Sequence, residues 1–355
     1  MVSTVHHEHD ADKNPRKYSM QENAMKADEL KSILKDYSKE ELIRLYSKTY
    51  RMVPKERRED ELDQMIRDRT SKPAPKKKEE DFESVMGEVL YFESAANQQL
   101  YLRRNRQIPE KKRRNWRFDI KKCIKYLSQV PAGSVYFSQS ADLLLRIFAV
   151  LSKGCGIWLF STDQPFQSVG IGQPELFGMI CSMAVKETDH TTILKKLITL
   201  ACSCYLDYTT LHEDLIAVLL NVFNTEELRN EVIDMTKLVM QEENSRFNAR
   251  PKKSRDFNAE YYHQEAINYC TILVLAAMCL LGQEEEGCRF YWKNHKENSE
   301  EINLYVLLRT LKDYELYDLW LKEYKAALKR KVKVRDSLKE EYRRFSSGQF
   351  TDEDE

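Results

Sequence analysis

The chain has 355 residues, 42% apolar and 32% charged, which is enough apolar surface to build a sizeable core. Basic and acidic residues balance at 57 each, so a global electrostatic attraction to nucleic acid or membrane is excluded and any such role must come from local clusters. Only 10 glycines and 9 prolines accompany abundant Leu, Lys and Glu, too little turn chemistry for an all-β or doubly wound α/β chain, so the sequence reads as all-α.

In chain order, residues 1–23 are polar, mixed in charge and without periodicity, and are expected to be disordered. Met1 to Met20 contains no apolar core of signal-peptide type. A small helical module is expected over 24–69. Leu30, Ile33, Leu34 and Tyr37 repeat at helical spacing, and Ser38 with Glu41 forms a capping box ahead of Leu42, Ile43, Leu45, Tyr46 and Tyr50. A third helix starts near Pro54 and carries Leu62, Met65 and Ile66. Residues 70–80, with Pro73, Pro75 and Lys76 to Lys78, read as a linker.

A helical array is expected over 81–347. Phe82, Val85, Met86, Val89 and Leu90 mark its first helix face. Pro109 breaks the pattern. A basic helix with Trp116, Ile120, Ile124 and Leu127 resumes and ends at Pro131 and Gly133. The apolar stretch from Ser140 to Lys153 stops at Gly154. Residues 154–173 are the least helical, with four of the ten glycines and the run Trp158-Leu159-Phe160. Pro174 opens another helix, followed by stretches at 190–206, 210–223 and 225–243. A charged loop from Ser245 to Asn258 precedes an apolar helix over 259–281, and three more helices are expected near 284–297, 299–311 and 313–345. Residues 348–355 form an acidic tail. No fixed 34- or 40-residue period is found, so the expectation is an irregular helical array, either a bundle or a HEAT- or tetratricopeptide-like solenoid. The longest apolar run, Cys270 to Leu281, is short of the roughly 18 residues of a membrane span. The eight cysteines form no CxxC pair and mostly sit in apolar helical stretches, as reduced thiols do, so a cytoplasmic location without membrane association is expected.

The most unusual chemistry lies between Tyr101 and Tyr126, where eleven basic residues face two acidic ones, Glu110 and Asp119. The candidate binding residues are Arg103, Arg104, Arg106, Lys111, Lys112, Arg113, Arg114, Trp116 and Arg117. Arginines hold phosphates bidentately, and Trp116 can stack a base or pack under a guanidinium. The competing reading is a solvated helix face paired with acidic neighbours, with Trp116 in the core. The last helix is also basic, with Lys325, Lys329, Arg330, Lys331, Lys333, Arg335, Arg343 and Arg344. Two ExxH motifs, Glu187 to His190 and Glu260 to His263, have the spacing of di-iron bundle ligands, but chance accounts for them in so glutamate-rich a chain, and no metal is expected. Gly154-x-Gly156 and Gly170-x-Gly172 lack the other features of a phosphate loop, and no GxSxG or HExxH occurs. No catalytic residue and no cofactor is assigned, although an enzyme whose site is assembled from distant residues remains open.

The pattern Asn105-Arg106, Pro109, Arg113, Trp116-Arg117-Phe118, with the opening Ser38-Lys39-Glu40-Glu41-Leu42-Ile43, resembles uncharacterised bacterial all-helical proteins over about the first third of the chain. That resemblance implies an all-helical fold and no mechanism. The spacing of Leu30, Leu34, Glu41, Leu42 and Ile43 also resembles the DNA-binding SAP module, but its inter-helix glycine and central leucine are absent, and a plain helical hairpin is the stronger reading. Two functions are therefore carried forward. The first is an intracellular scaffold that binds a protein partner. The second is nucleic-acid binding through residues 103–125.

Overall fold

In the computed structural model the described residues are 27–58, 63, 81–251 and 257–350. The chain divides into two compact units, Met1–Glu79 and Glu80–Glu355. The expected disordered N-terminus, the linker and the end of the acidic tail lie outside the described residues.

The first unit holds helices α1 (Ala27–Leu34), α2 (Lys39–Met52) and the single turn α3 (Lys55–Arg57). The capping box at the start of α2 is formed: the Glu41 amide donates to Ser38 Oγ at 3.3 Å, and the Ser38 amide donates to Glu41 Oε2 at 2.8 Å. No residue of α2 is buried within the unit. The rest of the third helix expected here, with Leu62, Met65 and Ile66, falls outside the described residues.

The second unit is all-α. Its helices are α4 (Phe82–Asn97), α5 (Glu110–Leu127), α6 (Phe137–Gly156), α7 (Pro165–Val169), α8 (Gln173–Ala184), α9 (Thr191–Ser203), α10 (His212–Val222), α11 (Glu226–Ala249), α12 (Phe257–Leu280), α13 (Glu284–Asn294), α14 (Glu300–Asp313), α15 (Tyr317–Lys329) and α16 (Asp336–Ser346). Among the described residues the only β-pairing is one isolated parallel bridge, Tyr101 to Phe160. Packing follows chain order closely: α4 against α5 and α6, α6 against α8, α8 against α10, α9 against α11 and α12, and α14 through α16 in succession. Helix α12 is buried continuously from Cys270 to Met278, and it packs against α9, α10, α11, α13 and α14. A helix apolar on every side can only be stable in such a central place. No helix among the described residues is long and apolar enough to cross a membrane.

Three boundaries differ from the sequence expectation. Helix α11 runs on to Ala249 instead of giving way to a loop at Ser245. Its last turns are held from outside: Phe247 stacks on His263 of α12 with centroids 4.1 Å apart, and Glu242 pairs with Lys195 of α9. The stretch 154–173, read as irregular, contains α7, opened by Pro165 and closed by Gly170 at a left-handed φ of 76°. The expected single helix over 313–345 is two, α15 and α16. Lys331 takes a left-handed φ of 63°, and Val332 and Val334 are buried in an extended turn between them. Burial of two β-branched side chains drives this break, with no proline or glycine to announce it.

Candidate basic surface and its aromatic floor

Helix α5 follows Pro109, and its apolar side carries Trp116, Ile120, Cys123, Ile124 and Leu127, all buried. At 100° per residue, Lys111, Arg114, Phe118, Lys121, Lys122 and Lys125 fall on the opposite face, and all six are exposed. Phe118, 53% exposed, thus lies in the middle of a cationic stripe, with the Arg117 guanidinium 4.8 Å from its ring centroid. Upstream, Arg103, Arg104 and Arg106 are exposed on the irregular segment between α4 and α5. That segment is fixed to the loop before α7 by the Tyr101–Phe160 bridge and by the Arg103 amide, which donates to Ser161 Oγ at 2.5 Å.

The electrostatic character of this surface differs from the rest of the unit. Elsewhere a larger share of the cations is matched: Arg146 reaches Glu93 at 3.0 Å and Asp142 at 2.9 Å, Lys195 meets Glu242, Lys312 meets Glu341, and Arg335 forks onto Glu301. Of the eleven cations from Arg103 to Lys125, only Arg114 forms an ion pair among the described residues, with Glu110 one turn earlier at 2.8 Å. Both partners there are largely exposed, so the pair neutralises little. The stripe is a solvated face whose cations, Arg114 apart, form no ion pair among the described residues.

Trp116 is not on that stripe. It is 6% exposed and stacks on Phe160 with centroids 4.2 Å apart, inside a four-ring cluster with Phe92 and Tyr101. As a surface platform under a guanidinium it is unavailable. One edge of the cluster nevertheless opens between α4 and α5 into a cleft of about 260 Å³, whose lining includes Glu88, Tyr91, Tyr101, Lys112, Trp116 and Asp119. Neither the Tyr101 hydroxyl nor the Trp116 indole N–H bonds to another described residue, and neither is among the polar atoms sealed from solvent. Both residues line the cleft. Burial pushes the Tyr101 phenol well above its ordinary range, with Tyr91 and Asp119 adding to the effect, so it stays a hydrogen-bond donor. Tyr91, 48% exposed, stands at the rim with the Lys112 ammonium 6.0 Å from its centroid. Sequence reasoning singled out Lys112 and Trp116 but missed Glu88, Tyr91, Tyr101 and Asp119, because nothing in the sequence says that α4 lies against α5.

The other features named in the sequence are not gathered into a site. His190 Nε2 lies 2.7 Å from Glu231, and His263 Nδ1 lies 3.4 Å from Glu243, so the two ExxH histidines each meet a different carboxylate of α11. Among the described residues no group of three His, Cys, Asp or Glu is placed to hold a metal ion. Cys202 is buried in α9 and Cys204 caps its end; burial raises the Cys204 thiol to about 11, which leaves it unreactive. The basic C-terminal stretch folds back on the body: Arg335 lies 3.9 Å over the Tyr305 ring, and Arg330 lies 4.7 Å over Trp292 and bonds Glu300. Comparison with known protein families, curated proteins and solved structures finds no match to the chain.

Proposed function

We propose that the protein binds nucleic acid through the exposed face of α5 and the segment that precedes it. The observation that carries this reading is the run of eleven cations with a single, exposed ion pair in a chain whose total charge is zero. Unmatched cations along one helix face attract a polyanion, and each phosphate they neutralise releases counterions. Phe118 within the stripe adds an exposed π-face, which bases accept regardless of sequence. The test is a fluorescence-anisotropy titration with short single- and double-stranded DNA and RNA at 50 and 200 mM salt. Salt-sensitive binding, weakened when Arg113, Arg114 and Arg117 are replaced together by alanine, is the expected result. No binding at the lower salt ends the proposal.

A second reading, a scaffold for a protein partner, is favoured by one observation. Trp158, 71% exposed, lies in the loop between α6 and α7, beside the α9–α10 connection. The Tyr205 ring of that connection covers Gly156, and the Tyr208 hydroxyl donates to Asp163 Oδ2 at 2.6 Å. Exposed Trp and Tyr side chains grouped in this way are what interface hot spots are made of. Cross-linking of the intact protein in its host, repeated with Trp158→Ala, tests it: partners that survive the substitution unchanged do not use this patch.

A further inference from the structure

Resting on the nucleic-acid reading, we infer that the cleft between α4 and α5 holds one unpaired nucleobase, selected for an exocyclic amino group. Three independent observations converge on it. The first is size. About 260 Å³ is just below the roughly 300–1,000 Å³ of pockets that take drug-sized ligands, so the cleft suits a single planar ring system. The second is its walls. The half-exposed Tyr91 ring stands at the rim, Phe92 and Trp116 lie beneath, and base-on-aromatic stacking is the usual way an unpaired base is held. The third is its polar atoms. Tyr101 and Trp116 are 5% and 6% exposed, both line the cleft, and neither polar atom has a partner among the described residues; the Tyr101 hydroxyl is close enough to Tyr91 and Asp119 of the same lining to feel their charge. Asp119 and Glu88 supply acceptors on the same lining.

Those donors and acceptors specify the edge that fits. Carboxylate oxygens accept from an amino group, and the phenol and indole donate to ring nitrogens or carbonyls. Cytosine, adenine and guanine each offer an amino donor beside an acceptor, whereas thymine and uracil offer no amino group. A base in a duplex has these atoms paired and its faces stacked, so a single strand enters without the cost of extrusion. The phosphates on either side would then run over Lys112 and along the stripe.

The test uses the full chain and three labelled decamers of equal charge: oligo-dC, oligo-dT and an abasic phosphodiester strand. Oligo-dC is expected to bind tightest, with the abasic strand about 5- to 150-fold weaker, the range base stacking gives. Tyr91→Ala, a surface substitution, is expected to weaken oligo-dC by about fivefold or more, the loss of one stacking partner, while leaving the abasic strand unaffected; an oligo-dC affinity unchanged by it would overturn the cleft as the base site. Asp119→Asn should remove the preference for dC over dT. If the abasic strand binds wild type as tightly as oligo-dC, the cleft takes no base, while the phosphate-binding role of the stripe stands. If dC and dT bind equally, amino-group selection is wrong. If no decamer binds at 50 mM salt, both this inference and the reading it rests on fall.

Discussion

Replacing Lys121, Lys122 and Lys125 with alanine isolates the electrostatic part of the proposal. The outward stripe of α5 and its flank at Arg117 carry Lys111, Arg114, Arg117, Lys121, Lys122 and Lys125, all exposed, and Arg114 is already tied to Glu110. The remaining cations on that side could neutralise about five phosphates of a single strand, which sets the slope of log K against log salt near −3.5. Between 50 and 200 mM salt, wild-type affinity should then fall by about 100-fold. Taking away three cations leaves a slope near −1.4 and a fall of about 7-fold over the same range. None of the three lysines is buried or ion-paired among the described residues, so folding stability should stay within about 0.5 kcal/mol of wild type. Anisotropy titrations at four salt concentrations give both slopes, and a urea melt checks the fold. If the triple variant keeps the wild-type slope, or if wild-type affinity changes less than about threefold across that range, α5 is not a phosphate-binding face.

Two other consequences concern the body behind it. Gly154 in α6 is buried, and a Cβ there would sit 2.7 Å from two carbons of the Phe160 ring, which is itself packed against both Trp116 and Phe92. Gly154→Ala gains about 1 kcal/mol of helix preference but overpacks by about 1–3 kcal/mol, so a net loss of stability is expected in urea melts, and a gain would show that Phe160 yields. His212 and His295 are both pushed below the ordinary histidine value of 6.5, first by burial, opposed at His212 by its hydrogen bond with the Ala201 carbonyl and then by Glu265 and Glu213, and at His295 by its hydrogen bond with Asn303 and then by Glu297. Unfolded, these rings take up protons near 6.5 while the folded rings do not. Stability is therefore fully present above that pH and lost as pH falls below it toward the folded values. Urea midpoints should be lower at pH 5.5 than at 7.5, and His212→Gln should lessen the difference; equal midpoints would mean the rings are charged in the fold.

How much of this was legible in the sequence depends on the distance between cause and effect along the chain. The capping box at Ser38 and the buried side of α5 involve residues three or four apart, and both are as the spacing suggests. The same spacing places Trp116 in register with Ile120, Ile124 and Leu127, so its burial was readable, and the structure decides for the core over an open platform. The break at Lys331 was not readable, since Val332 and Val334 continue an apolar pattern and only their tertiary burial bends the chain. Nor was the pairing of some cations and not others. Arg335 finds Glu301 and Arg146 finds Glu93 from 34 and 53 residues away, while among the described residues the α5 cations form no ion pair beyond that of Arg114 with Glu110, one turn earlier. Composition located the charge; only the packing of distant helices shows that it is left unmatched.

The four-ring cluster divides its labour in a way that yields a separable prediction. Phe92 and Phe160, with no polar atom, are the deeper members at 2% and 0% exposure; Tyr101 and Trp116, each with one, are the outer members at 5% and 6%. Had Tyr101 been chosen for packing alone, phenylalanine would serve better, because a buried hydroxyl without a partner costs stability. Removing it by Tyr101→Phe keeps the ring, its 5.8 Å contact with Phe92 and its 5.9 Å contact with Phe160. Stability should therefore hold or rise slightly, by up to about 1 kcal/mol. Affinity for oligo-dC should drop by about three- to tenfold through the lost donor, with the abasic strand unaffected. A variant that loses stability would mean the hydroxyl is satisfied within the fold, and one that binds oligo-dC as wild type does would mean it does not face the ligand. Only the combination of a fold left intact and a weakened base contact fits a side chain kept polar for something outside the core.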